Sequence, residues 1–322
     1  EDLSRGLGDV YKRQPSSGPL YEGSGAGVIH CRIPGYPEKY QDIFLFSDWL
    51  NREIVIYRTR WDGAWRKADR KNLEILAHAG GGRSMSQSSG RAFDPVDIEM
   101  GPDGAIWITS WGRQYGAHYE NEQLANEGRV YRFWPKGFLP SVAKRNSAIL
   151  SQWTIDELIT DLGSHIPAWR TNAQEELIRR GNEATPSLLA ALKDDQTTTA
   201  LETWAVWTIG RINADQSWHT GNRNQKVQSL RLQAYHNATA PTTVESLSDP
   251  DPRIRLEAVL SLRQNVGSDY AEELVALAAR ETDRIVYYAT WGALMDLLSI
   301  DERKNLLSDD RDRVRLAAFL GL

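Results

Sequence analysis

One cysteine, Cys31, stands in a chain of 322 residues, so no disulfide can form within it and the fold must hold by packing. A lone thiol also leaves the redox compartment open. No run of 18 or more apolar residues occurs, which excludes a membrane-spanning helix. Neither sign of charge dominates: 38 Lys and Arg stand against 43 Asp and Glu. The basic surplus with which nucleic-acid binders hold phosphates is therefore missing, and no nucleic-acid partner is expected. There is no Cys-x-x-Cys-His for haem attachment, and no two histidines fall at a metal-ligand spacing. The glycine-rich stretches Gly23-Ser24-Gly25-Ala26-Gly27 and Gly80-Gly81-Gly82-Arg83-Ser84 lack the lysine and helix start of a phosphate loop. Both read as flexible loops.

What is present suffices for two domains. The first fourteen residues are set aside. Asp9-Val10-Tyr11-Lys12-Arg13-Gln14 resembles a translated adapter from DNA library preparation, so residues 1–14 are expected to be foreign to the fold. No Met opens the chain, and Leu322 falls inside an amphipathic helix without a stop signal. The expectation is a fragment.

From residue 15 to 136 the signal is β. Pro95–Met100, Ala105–Trp111 and Gly128–Phe133 read as three strands, the first two joined by Gly101-Pro102-Asp103-Gly104. There Pro presets φ and Asp-Gly accepts the positive φ of a tight turn, which makes Asp103 a turn residue. A looser copy precedes it in Ala26–Cys31, Gln41–Trp49 and Ile54–Arg58, with Asp62-Gly63 as a turn and Leu73–His78 as an outer strand. Ser47-Asp48-Trp49 matches Thr109-Ser110-Trp111, 62 residues later. Three or four short strands repeated in this way predict about two blades of a β-propeller, a partial one because a ring needs several. Left alone, such a piece exposes sheet edges.

Residues 137–150 read as a linker, and from 151 to 322 the period becomes 3.6. Trp169/Ala173/Leu177, Leu201/Ala205/Ile209, Ile254/Ala258/Leu262, Ile285/Ala289/Ala293 and Val314/Ala318/Leu322 each place three residues on one helix face. The central alanine lets a neighbouring helix approach. With the weaker pair Leu230/Ala234 counted, these anchors recur about every 30 residues, as in a HEAT-type α-solenoid. Thr185–Leu192 and Tyr270–Ala279 read as second helices. Asp249-Pro250-Asp251-Pro252 and Asp309-Asp310-Arg311-Asp312 read as caps.

The string F-x-P-V-D-I-x-x-G-P-D-G-A-I-W-I-T-S-W, followed by G-R-V-Y-R-F, resembles the final blades of glucose/sorbosone-dehydrogenase-like propellers. It is most similar to the large secreted dehydrogenase-type proteins of planctomycetes and their relatives, over residues 23–136. G-A-G-V-I-H and P-E-K-Y-Q-D-I-F-L-F-S-D-W match the preceding blade. The family typically ends its second strands in Asp-Trp; Asp48-Trp49 keeps this, whereas Ser110-Trp111 departs from it. The resemblance implies a periplasmic or extracellular oxidoreductase acting on a sugar or alcohol with pyrroloquinoline quinone and calcium. HEAT repeats that bind a protein partner would follow, with a c-type haem domain, where present, outside this chain. The rival expectation is a non-enzymatic scaffold that binds carbohydrate and protein.

Candidate ligand residues follow from position. Asp48, beside an indole where a strand leaves the sheet, either binds a sugar or caps its own turn. Asp97, on the expected innermost strand, is either a ligand residue or a local hydrogen-bond acceptor. Trp111 offers a stacking wall. Arg113 and His118, in the polar loop after it, either orient an anionic quinone or belong to a solvated insertion. No Ser/His/Asp set is arranged by any motif, and His30, His78 and Cys31 read as structural. No catalytic residue is assigned.

Overall fold

The computed structural model describes residues 25–68, 74–78, 93–111, 119–120, 123–124, 128–141, 145–213, 221–238, 241–264 and 270–322. It combines antiparallel sheets with a long helical array. The strands are β1 (Gly25–Cys31), β2 (Ile43–Asp48), β3 (Glu53–Asp62), β4 (Trp65–Ala68), β5 (Glu74–His78), β6 (Asp94–Met100), β7 (Ile106–Trp111), β8 (Tyr119–Glu120), β9 (Gln123–Leu124) and β10 (Arg129–Phe133). In the first sheet β1, β2 and β3 run as a meander, and β3 then divides its partners. Its first half pairs with β5 and its second half with β4, a strand that the sequence pattern did not disclose. The second sheet has the order β10-β7-β6. The short β8–β9 hairpin lies in the polar loop read as an insertion.

Alternation decides which faces meet. Ile106, Ile108 and Ser110 of β7 are buried while Trp107, Thr109 and Trp111 face outward, the period of two that a pleated strand imposes. Cys31, Ile43, Leu45, Ile54 and Ile56 of the first sheet close on Ile98, Ile106 and Ile108 of the second, giving one apolar core between them. Gly27 sets the distance. Its strand and β6 both carry a register irregularity at the contact, and a Cβ at Gly27 would stand 2.6 Å from the Ile98 amide nitrogen and 2.8 Å from the Asp97 Cα. The tight turn after β6 forms as read: Gly104 has φ +78°, its amide donates to the Gly101 carbonyl at 3.0 Å, and Asp103 Oδ1 accepts from the Ala105 amide at 3.0 Å.

Eleven helices follow among the described residues: α1 (Ile155–Leu162), α2 (Pro167–Arg180), α3 (Thr185–Lys193), α4 (Thr199–Ile212), α5 (Arg223–Tyr235), α6 (Pro241–Ser246), α7 (Pro252–Gln264), α8 (Ala271–Arg280), α9 (Arg284–Leu297), α10 (Ile300–Asn305) and α11 (Asp312–Leu320). None is long and apolar enough to cross a membrane. Helices α2, α4, α5, α7, α9 and α11 form one row in which each packs on the next. This is the row of alanine anchors. Ala173, Ala205, Ala258, Ala289 and Ala318 are buried, whereas Ala234 is half-buried and Leu322 is exposed past the end of α11. Ion pairs tie the row on its outside: Arg211–Glu175 at 2.6 Å, Arg231–Glu257 at 2.5 Å and Arg263–Asp296 at 2.6 Å.

A second regularity concerns arginine. Arg170, Arg255 and Arg315 each stand three residues before an anchor alanine, and each donates from Nη1 to the carbonyl six residues back. The acceptors are Ser164 at 2.6 Å, Asp249 at 2.8 Å and Asp309 at 2.6 Å. Each contact satisfies a carbonyl in the segment leading into its helix. Asp309 therefore holds its loop, accepting the Arg311 amide at 2.8 Å, rather than capping α11, whose N-cap position is Arg311.

The β3–β4 hairpin reaches the helical array. Gly63 takes φ +61°, and the next amide, Ala64, donates to Asp283 Oδ2 at 3.0 Å. The other oxygen of Asp283 caps α9 through the Ile285 and Val286 amides at 2.9 and 3.0 Å. Ala64 is buried in the helical core, and the Arg253 guanidinium lies 4.3 Å over the Trp61 ring.

Candidate functional site

At one end of the two sheets, polar groups are buried where strands turn. Ser47 and Asp48 close β2 and are fully buried. Ser47 Oγ accepts the Gly27 amide at 2.8 Å and donates to the Gly27 carbonyl at 3.2 Å, which holds the irregular start of β1. Asp48 turns its carboxylate on the following loop: Oδ1 accepts the Asn51 amide at 3.0 Å and Oδ2 the Asn51 side-chain amide at 2.9 Å. The geometry is that of a turn cap.

Arg52 follows in the left-handed region, at φ +59°. Its side chain is only 2% exposed and Nε donates to Asp94 Oδ1 at 2.5 Å, across the gap between the sheets. The Asp94 amide donates to Ser110 Oγ at 2.8 Å, and that hydroxyl donates to the Trp111 carbonyl at 3.1 Å. A buried ion pair and a buried hydroxyl thus join the ends of β3, β6 and β7. Ser110 occupies the place that Asp48 holds in the first sheet. Both side chains organise the backbone around them.

The residues nominated by sequence are distributed as follows. Trp111 ends β7 with its side chain outward and about half exposed (49%). Asp97 is exposed, Oδ1 accepts the amide of the next residue, Ile98, at 2.9 Å, and the same oxygen lies against Gly27. Asp48, Asp97 and Trp111 therefore share one end of the sheets. Arg113 and His118 lie outside the described residues, as do Gly80 to Ser84. Arg52, Asp94 and Ser110 escaped the sequence reading. Their one signal is Ser110 standing where the first sheet has Asp48.

Electrostatics separate this end from the sheet interior. Burial pushes the Cys31 thiol up to about 11, which keeps it protonated and unreactive. Burial lowers the His30 imidazole despite its contact with Asp42 at 3.3 Å. Among the described residues, no three His, Cys, Asp or Glu side chains converge as metal ligands.

On the other face of the second sheet, the Arg132 guanidinium lies between the Trp107 and Trp134 rings, 5.5 and 5.0 Å from their centroids, and pairs with Asp103. This is a stiff aromatic rim with its cation already neutralised.

No protein-family profile matches the chain, and no curated protein does. Among solved structures, Escherichia coli YibA overlaps 56% of this chain at 18% identity and a TM-score of 0.23, and the chain covers 64% of YibA. The CpcE–CpcF complex of phycocyanin lyase from Nostoc sp. PCC7120 overlaps 56% at 23% identity and a TM-score of 0.22, with 68% of that chain covered. Likenesses at such TM-scores decide neither fold nor function.

Proposed function

We propose that this chain is a binding scaffold. On this reading, propeller-type blades of the sugar-dehydrogenase kind hold a saccharide at the Trp111 end, and a HEAT-type array presents helices to a protein partner. One observation carries the reading: Asp48 and Asp97 direct carboxylate oxygens at nearby backbone amides, while Trp111, at the end of β7, exposes half its surface. Carboxylates engaged in this way serve the backbone around them. An exposed indole can stack a sugar ring. For the array, support comes from a cavity of about 580 Å³ at its end, walled by Tyr287, Tyr288, Trp291, Phe319 and Leu320. An aromatic hollow of this kind suits the apolar stripe of a partner helix.

Titration calorimetry with neutral oligosaccharides tests the β part. Wild-type protein should bind, and Trp111→Ala should weaken binding about tenfold, the scale of one lost stacking contact. Equal affinity in the two proteins would remove Trp111 from the site.

A second reading, a portion of a quinone-dependent sugar or alcohol dehydrogenase working outside the cytoplasm, is favoured by Asp48, Asp97 and Trp111 sharing one end of the sheets. Calcium takes six to eight oxygen ligands, and the described residues offer no cluster of that kind. The described residues do not supply the donors that calcium with pyrroloquinoline quinone needs. The unreactive, buried Cys31 is compatible with a periplasmic or extracellular setting.

A further inference from the structure

Where the β3–β4 hairpin meets the helical array it leaves a cleft of about 520 Å³, lined by Asp62, Trp65, Lys67, Arg255, Thr282 and Arg284 among others. The volume is that of a small-ligand site, and junctions between parts of a chain are where such sites concentrate. Its charges are mostly committed. Lys67 pairs with Asp62 at 2.9 Å, and Arg255 forks onto Glu281 with two contacts of 2.8 Å. Asp283 is used by the α9 cap and by Ala64. Arg284 differs: no ion pair joins it to any described residue, and its side chain is exposed at the first position of α9. Trp65, 41% exposed, lines the same cleft.

We propose that this cleft binds an acidic saccharide, a uronate residue whose carboxylate pairs with Arg284 and whose ring stacks on Trp65. A guanidinium without a counter-ion favours a planar carboxylate through two parallel hydrogen bonds. An indole offers a flat apolar face to the C–H side of a pyranose. Asp62 and the Thr282 hydroxyl add acceptors for sugar hydroxyls, which an acidic peptide carries in smaller number. The cleft shares no residue with the Trp111 end and is independent of saccharide binding there.

The test is titration of the full chain with trigalacturonate, its methyl ester and triglutamate, followed by calorimetry and tryptophan fluorescence. Trigalacturonate should bind, and the ester should bind at least about tenfold more weakly because it cannot pair with Arg284. Arg284→Ala and Trp65→Ala should each cost a similar factor, and Arg284→Lys should restore only part of it. Circular dichroism and the melting temperature of each variant establish that it folds as wild type does. Absence of trigalacturonate binding, equal binding of the ester, preference for triglutamate, or indifference to both alanine variants would each overturn the proposal.

Discussion

Arg52 and Asp94 show how much one residue pair decides here. A guanidinium and a carboxylate buried together repay their desolvation only while both are present. Arg52→Met should therefore cost about 3–5 kcal/mol by removing the buried cation that Asp94 faces, whereas Arg52→Met with Asp94→Leu should recover most of that loss. Chemical denaturation of both variants checks this, and a double variant no better than the single would contradict it. The pair was illegible in the sequence because its members lie on different sheets, and nothing local marks Asp94 as the partner of a distant arginine. Asp103 was legible for the opposite reason. Its role is set within four residues by Pro102 and Gly104, and the structure has it accepting the Ala105 amide.

At the scale of elements, period was the reliable guide. Every anchor alanine lies on a helix of one row, because spacing by four is a property of the helix itself. The strands are nearly as legible, with the exception of β4: Trp65–Ala68 is exposed on alternate residues with no apolar face to betray it. Replacing Ala258 with Leu should overpack the α5–α7–α9 contact and cost about 1–3 kcal/mol, read from the denaturation midpoint; an unchanged midpoint would show room at the contact. Helix α2 gives a pH dependence. Arg179 and then Arg180, set against burial, hold the Glu176 carboxyl down at about 2, from an ordinary 4.5. A depressed folded-state value means stabilisation that is complete above the ordinary value and is lost as pH falls from about 4.5 towards 2. Thermal melts across that window should decline less steeply for Glu176→Gln than for wild type. Parallel decline would mean that the pair contributes nothing to the native state.

At the scale of the whole molecule, the hairpin contact at Asp283 joins the sheets to the helices. One carboxylate serves two masters, the α9 cap and the Ala64 amide, so the two functions can be separated. Asp283→Ser keeps a hydroxyl able to cap α9 but removes the second acceptor. Native-state hydrogen exchange should then show the Ala64 amide exchanging at least about tenfold faster with the Ile285 amide unchanged; equal protection of Ala64 would mean that the junction is held elsewhere. No sequence signal pointed to this contact, since 219 residues separate its partners and Asp62-Gly63 read as an ordinary turn.

Binding without turnover at the Trp111 end is tested most directly by one paired measurement. The chain is supplied with pyrroloquinoline quinone, calcium and an artificial electron acceptor, and dye reduction is followed on sugars and alcohols while saccharide binding is measured on the same sample. The scaffold reading predicts saccharide binding that Trp111→Ala weakens and dye reduction no faster than without protein. Sugar-dependent dye reduction that is abolished by Asp48→Asn or Asp97→Asn would contradict it.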